Sequence, residues 1–121
     1  MATLIKERRI ATSPSSPSEA VLRVQPHEEV QEIAARLDGV DRVEIHFPKF
    51  GDGRGFSIAK LLRERFGYKG ELRAVGHVVR DHLAPMTAVG FDSFLLKEGE
   101  DAEAALRAFS DFPIFTPWHE R

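Results

Sequence analysis

Cysteine is absent from the chain. That excludes disulfides, thiolate nucleophiles, Cys-ligated zinc and Cys-ligated iron–sulfur clusters, so redox work would need a bound flavin, haem or nicotinamide, or a partner's cofactor. An excess of charge is missing too. Lys and Arg number 17 against 19 Asp and Glu, a formal net charge of −2 with the five histidines neutral. No general attraction to nucleic acid or to an anionic membrane is expected from that balance. Long apolar runs are also lacking: none approaches the roughly 18 residues that span a bilayer. The opening Met1 to Ile10 is too charged for a signal peptide, so the expected protein is cytoplasmic. What is present is ordinary for one globular domain, with 121 residues, 42% hydrophobic and 30% charged.

Three regions are expected. Residues 1–20 combine a short edge strand, Thr3 to Ala11, with a Ser/Pro-rich connector from Thr12 to Glu19 that has too little apolar surface to order itself. Residues 21–111 carry the regular pattern. Residues 112–121 form a tail whose Phe112, Phe115 and Trp118 cover the core edge or meet a partner.

Within the middle region, Val21–Val24 reads as a strand. A helix opens near Pro26 and places Val30, Ile33, Ala34 and Leu37 on one face. Val43–Phe47 is the next strand. A glycine-rich loop, Lys49 to Gly55, then leads to a helix burying Ile58, Leu61, Leu62 and Phe66 and closed by Gly67. Glu71–Val75 is a strand, and Gly76 turns into a helix that Pro85 kinks or distorts. Phe91–Leu96 is the last strand, and Asp101 opens a final helix. Val43, Glu71 and Ser93, one in each of three strands, are 28 and 22 residues apart, with one amphipathic helix in each interval. This is the rhythm of βα units. The expected fold is an α/β single domain of about four such units with a mainly parallel sheet, open or half-barrel-like, since a closed barrel takes about 250 residues.

Ligands of a parallel sheet gather at the carboxyl ends of its strands. The richest turn there holds Lys49, Asp52, Gly53, Arg54, Gly55 and Ser57. Glycines admit close backbone approach, Arg54 and Lys49 supply positive charge, Asp52 orients, and the helix start near Ser57 favours an anion. The same residues also suit a tight structural turn in which Asp52 pairs with Arg54. In the next turn, His77 and Asp81 at i and i+4 on a helix would share a face as an imidazole–carboxylate pair for acid–base work. His77 and His82 would diverge by about 140° on such a helix, so no metal site is expected. Glu71, Arg73 and Arg80 suit a binding site or a structural ion-pair network, and read rather as the network.

The stretch FPKFGDGRGFSIAKLLRERFGYKGELRAVGHVVRDHL, Phe47 to Leu83, continued by GFDSFLL from Gly90 to Leu96, closely resembles the proteobacterial family known as domain of unknown function 934. Its members are often labelled "probable oxidoreductase" of sulfite reduction because they tend to be encoded beside assimilatory sulfite reductase. Relatives commonly carry Asp-Gln where this chain has Asp81-His82, aromatics at Ala84-Pro85, and a cysteine at Val89. A thiol in relatives therefore has no counterpart here.

The resemblance implies an accessory protein of assimilatory sulfate or sulfite reduction, with sulfite reductase or another enzyme of that pathway as partner. It would act through partner contact or a bound anion at the strand edge. Two alternatives stand beside it: a small enzyme or oxidoreductase with a bound cofactor of unknown identity and His77–Asp81 as acid–base pair, and a self-associating module forming a homodimer through sheet edges or the aromatic tail.

Overall fold

The computed structural model describes residues 4–6, 9–11, 20–48 and 53–110. The elements run β1 (Leu4–Lys6), β2 (Arg9–Ala11), β3 (Val21–Val24), α1 (Val30–Ala34), β4 (Arg42–Phe47), α2 (Arg54–Glu64), β5 (Glu71–Gly76), a 3₁₀ turn (Arg80–His82), α3 (Leu83–Ala88), β6 (Ser93–Leu95) and α4 (Ala102–Ser110). The strands form one open six-stranded sheet in the order β2-β1-β6-β5-β4-β3. β3 to β6 are parallel neighbours in chain order, each reached through a helical crossover. The expected α/β domain with a mainly parallel, unclosed sheet is therefore the observed one. The expected edge strand at the N-terminus is instead two short antiparallel strands, and β1 pairs antiparallel with β6. Among the described residues, β2 and β3 are the edge strands.

Strand alternation explains why the sheet has two unlike faces. Val24, Ile45, Ala74, Phe94 and Ile5 lie in one register line across the sheet. All are buried in a single cluster with Ile33 of α1, Ile58, Ala59 and Leu62 of α2, Leu83 and Met86 of α3, and Ala105 of α4. The helices thus share one face of the sheet. One residue along, Arg23, Glu44, Arg73 and Ser93 form the neighbouring register line, pointing the opposite way because side chains alternate along a strand. That second face is ionic. Arg42 Nε donates to Glu44 at 2.9 Å, Arg73 Nη2 to Glu71 at 2.7 Å, and Arg73 Nε to Ser93 Oγ at 3.1 Å. Ser93 in turn donates to Glu71 at 2.6 Å. Arg42 and Arg73 are only 2% and 3% exposed, so these bonds satisfy groups that would be costly to bury alone.

Helix boundaries move where capping and sterics decide. α1 is a short helix that begins at Val30, after a turn in which Glu28 accepts from the Gln25 N–H at 2.7 Å. α2 begins at Arg54, earlier than the glycine-rich loop suggested. Gly55 permits this, because a Cβ there would lie 2.6 Å from the Phe47 ring that packs on the first turn. Phe47 also meets Phe56 and Phe91 edge to face, at 5.3 and 5.6 Å between ring centres. Pro85 falls in the first turn of α3, where no helical N–H partner is needed, and so the helix forms through it. α4 opens as expected, with Asp101 Oδ1 accepting from the N–H groups of Glu103 and Ala104 at 3.0 and 3.1 Å. The Ser/Pro connector and the aromatic tail, 112–121, lie outside the described residues.

Candidate functional site

The parallel strands β4, β5 and β6 release their carboxyl ends into three turns along one sheet edge. Of the residues singled out in the first turn, Lys49 and Asp52 lie outside the described residues. Gly53 is the N-cap of α2 and supplies no side-chain cap, and Arg54 is the first helical residue. Gly55 is buried under Phe47, while Arg54 and Ser57 are exposed. Ser57 sits in the first turn rather than at the cap, its N–H reaching back to the Gly53 carbonyl at 3.4 Å. The first-turn N–H groups of a helix have no intrahelical acceptor, and the helix dipole adds partial positive charge there.

The second turn departs from its expected form. Gly76 closes β5 with φ +94°, and a Cβ there would strike the Phe47 carbonyl and the His46 ring. His46 accordingly lies against the end of β5, half-buried. His77 N–H donates to the Phe47 carbonyl at 2.8 Å, Val79 is extended, and helical structure starts only at Arg80. His77 is therefore not on the helix, and the i, i+4 geometry with Asp81 does not arise. Its ring packs edge to face on His82 instead, with centres 6.1 Å apart and planes at 61°. The divergence expected of two helical histidines fails for the same reason. Asp81 is 87% exposed and faces Arg80 at 3.9 Å.

The third turn docks on the second. Lys97 N–H bonds the Val78 carbonyl at 2.9 Å, and the Arg80 N–H bonds Glu100 Oε1 at 3.0 Å. Between them opens a cleft of about 410 Å³ lined by Val79, Arg80, Asp81, Glu100, Asp101 and Ala104, among others. Among the described residues, no group of three or more His, Cys, Asp or Glu is arranged to hold a metal ion.

Glu71 and Arg73 do pair, as expected, but Arg80 stands apart at the carboxyl edge. Two more arginines than expected are buried, Arg42 and Arg63. Arg63, 4% exposed near the end of α2, donates to the carbonyls of Gly90 (3.1 and 3.0 Å), Tyr68 (2.8 Å) and Gly70 (2.7 Å). It also faces Asp92 at 3.4 Å, whose other oxygen accepts from the Leu72 N–H at 2.7 Å. Burial pushes the Asp92 carboxyl up, with Arg63 opposing it, and burial pulls the Arg63 guanidinium down. The signal was available in Gly90-Phe91-Asp92, a glycine and a carboxylate flanking a core aromatic. This cluster sits at the amino end of β5 and β6, away from the turns, and its work is structural.

Fold and edge together define a small open α/β domain with helices on one face and its loops gathered at the strand carboxyl ends. Residues 21–116 match the family described as bacterial protein of unknown function (DUF934), and the chain belongs to that family. No curated protein and no solved structure matches it. Among the described residues, no helix is long and apolar enough to cross a membrane.

Proposed function

We propose that the protein is a cytoplasmic accessory factor of assimilatory sulfate or sulfite reduction that binds a pathway enzyme, an anion, or both at the carboxyl edge of its sheet. The link to sulfur assimilation rests on the family's association with sulfite reductase. The observation that supports binding at this edge is the start of α2, an eleven-residue helix with no side chain on its N-cap and Arg54 as its first residue. An oxyanion or a carboxylate of a partner is the natural complement of such an end.

The enzymatic alternative asks for His77 beside a carboxylate. His77 lies beside His82 instead, and Asp81 faces solvent, so binding is preferred to acid–base catalysis.

The test is growth on sulfate as sole sulfur source of a strain whose own copy is replaced by wild type or by Arg54→Ala, with cysteine-fed growth as the control for general health. Native protein is purified in parallel. Slower growth of the variant on sulfate alone, with sulfite reductase or a neighbouring pathway enzyme co-purifying with wild type, supports the reading. Equal growth together with clean purification of the protein alone overturns it.

A further inference from the structure

We propose that His77 and His82 form a two-histidine chelate for a divalent transition ion of the zinc class. The residues are spaced H-x₄-H, within the range in which paired histidines bind zinc, and imidazole suits zinc, copper and nickel. Spacing alone would not bring them together, since a helix would separate them. The extended Val79 does so by breaking the chain direction between Gly76 and the 3₁₀ turn, leaving the two rings in contact.

Two imidazoles on one tetrahedral ion, each bonded at about 2.0–2.1 Å, have ring centres about 5 Å apart. The observed separation is 6.1 Å. Closing it takes a shift of about 1 Å, within reach of a χ rotation because both histidines are only half-buried. Residues 79–81, which join the two histidines, line a cleft that also holds Glu100 and Asp101, three carboxylates against the Arg80 guanidinium. Glu100 and Asp101 keep their positions through bonds to the Arg80 N–H and to the start of α4.

With only two protein ligands, the ion keeps open positions for water or a small ligand. The chelate stands on the histidine geometry alone and does not depend on the sulfate reading.

The experiment is calorimetric titration of the full chain with zinc chloride near neutral pH in a buffer free of sulfur compounds. Wild type, His77→Ala, His82→Ala and His27→Ala are compared, His27 being an exposed histidine elsewhere. One equivalent should bind wild type and His27→Ala alike, and each of the other two variants should bind about tenfold or more weakly. A second readout uses unmodified protein: the imidazole proton resonances of His77 and His82 should move together on adding zinc. The proposal is overturned if wild type shows no saturable binding, if either variant binds as wild type does, or if zinc moves other histidine resonances and leaves this pair still.

Discussion

Arg63 and Gly90 interlock: the guanidinium donates twice to the Gly90 carbonyl, and Arg63 Cγ lies only 2.5 Å from where a Cβ on residue 90 would be. Gly90 has φ +114°, a conformation that L side chains rarely adopt. Backbone geometry and side-chain packing thus demand glycine independently. The contact ties the end of α2 to the turn that leads into β6, and Asp92 beyond it bonds the start of β5. One arginine holds three segments in register.

Gly90→Ala should be severely destabilising, by more than about 3 kcal/mol, since it adds an overpacked contact to a strained backbone. Gly39→Ala is the comparison. Gly39 also has positive φ, +75°, but nothing lies within 4 Å of its would-be Cβ. It should cost only the left-handed conformation, about 1–2 kcal/mol. Urea unfolding of the two variants measures the difference, and equal losses would mean that Arg63 yields freely to a new methyl group.

Arg63→Met keeps the length of the side chain and removes its donors, stranding three carbonyls and the Asp92 carboxylate. A loss of about 3–5 kcal/mol is expected from breaking such a buried pair. Arg63→Lys should recover part of this, because an ammonium keeps the charge but lacks the planar fork that reaches several carbonyls at once. The urea midpoint should rank wild type above lysine above methionine. Methionine at or above lysine would show that desolvating the charge outweighs its bonds.

How much of this was legible depended on how local each signal is. Strands β3 to β6 and the helices between them could be read because alternating and 3.6-residue patterns are written within each segment. The pairing of β1 with β6 could not, since it joins Leu4 to Leu95 across nearly the whole chain. The site was half legible. Gly53, Arg54, Gly55 and Ser57 do fall at the start of α2, but His77 was assigned to a helix on the strength of the residues after it. What decides its position is Gly76 at positive φ and an extended Val79, and neither shows in a hydrophobic period. Of the ionic face only Glu71 and Arg73 were legible as partners, grouped with Arg80, which stands apart beside Asp81. Arg63 was hidden because a helix arginine ordinarily reads as solvent-facing.

Ser93→Ala tests whether the ionic face acts as a unit. The Ser93 hydroxyl is fully buried, accepts from Arg73 and donates to Glu71. Alanine leaves Arg73 Nε and one Glu71 oxygen each short of a bond, at a cost of about 1–3 kcal/mol. A double-mutant cycle with Glu71→Gln measures the coupling between the two positions. Strict additivity would show that the hydroxyl and the carboxylate act separately despite the 2.6 Å bond between them.

Tyr68 gives the fold an alkaline limit. Burial is the main cause that pushes its phenol from 10.0 up to about 12, with nearby Arg63 working in the opposite direction. Its hydroxyl donates to the Val40 carbonyl at 3.3 Å, which a phenolate cannot do. In the unfolded chain the proton leaves near pH 10, so from there upward the unfolded state binds fewer protons than the folded one and stability falls. The contribution is whole below about pH 10 and is lost progressively as pH rises to about 12. Tyr68→Phe should remove this part of the slope while costing about 1 kcal/mol at neutral pH for the lost hydrogen bond. Tyr68 is the only tyrosine in the chain, so the near-ultraviolet phenolate absorbance of wild type reports it alone. That absorbance should appear late, together with unfolding, and a titration completed near pH 10 in still-folded protein would refute the assignment.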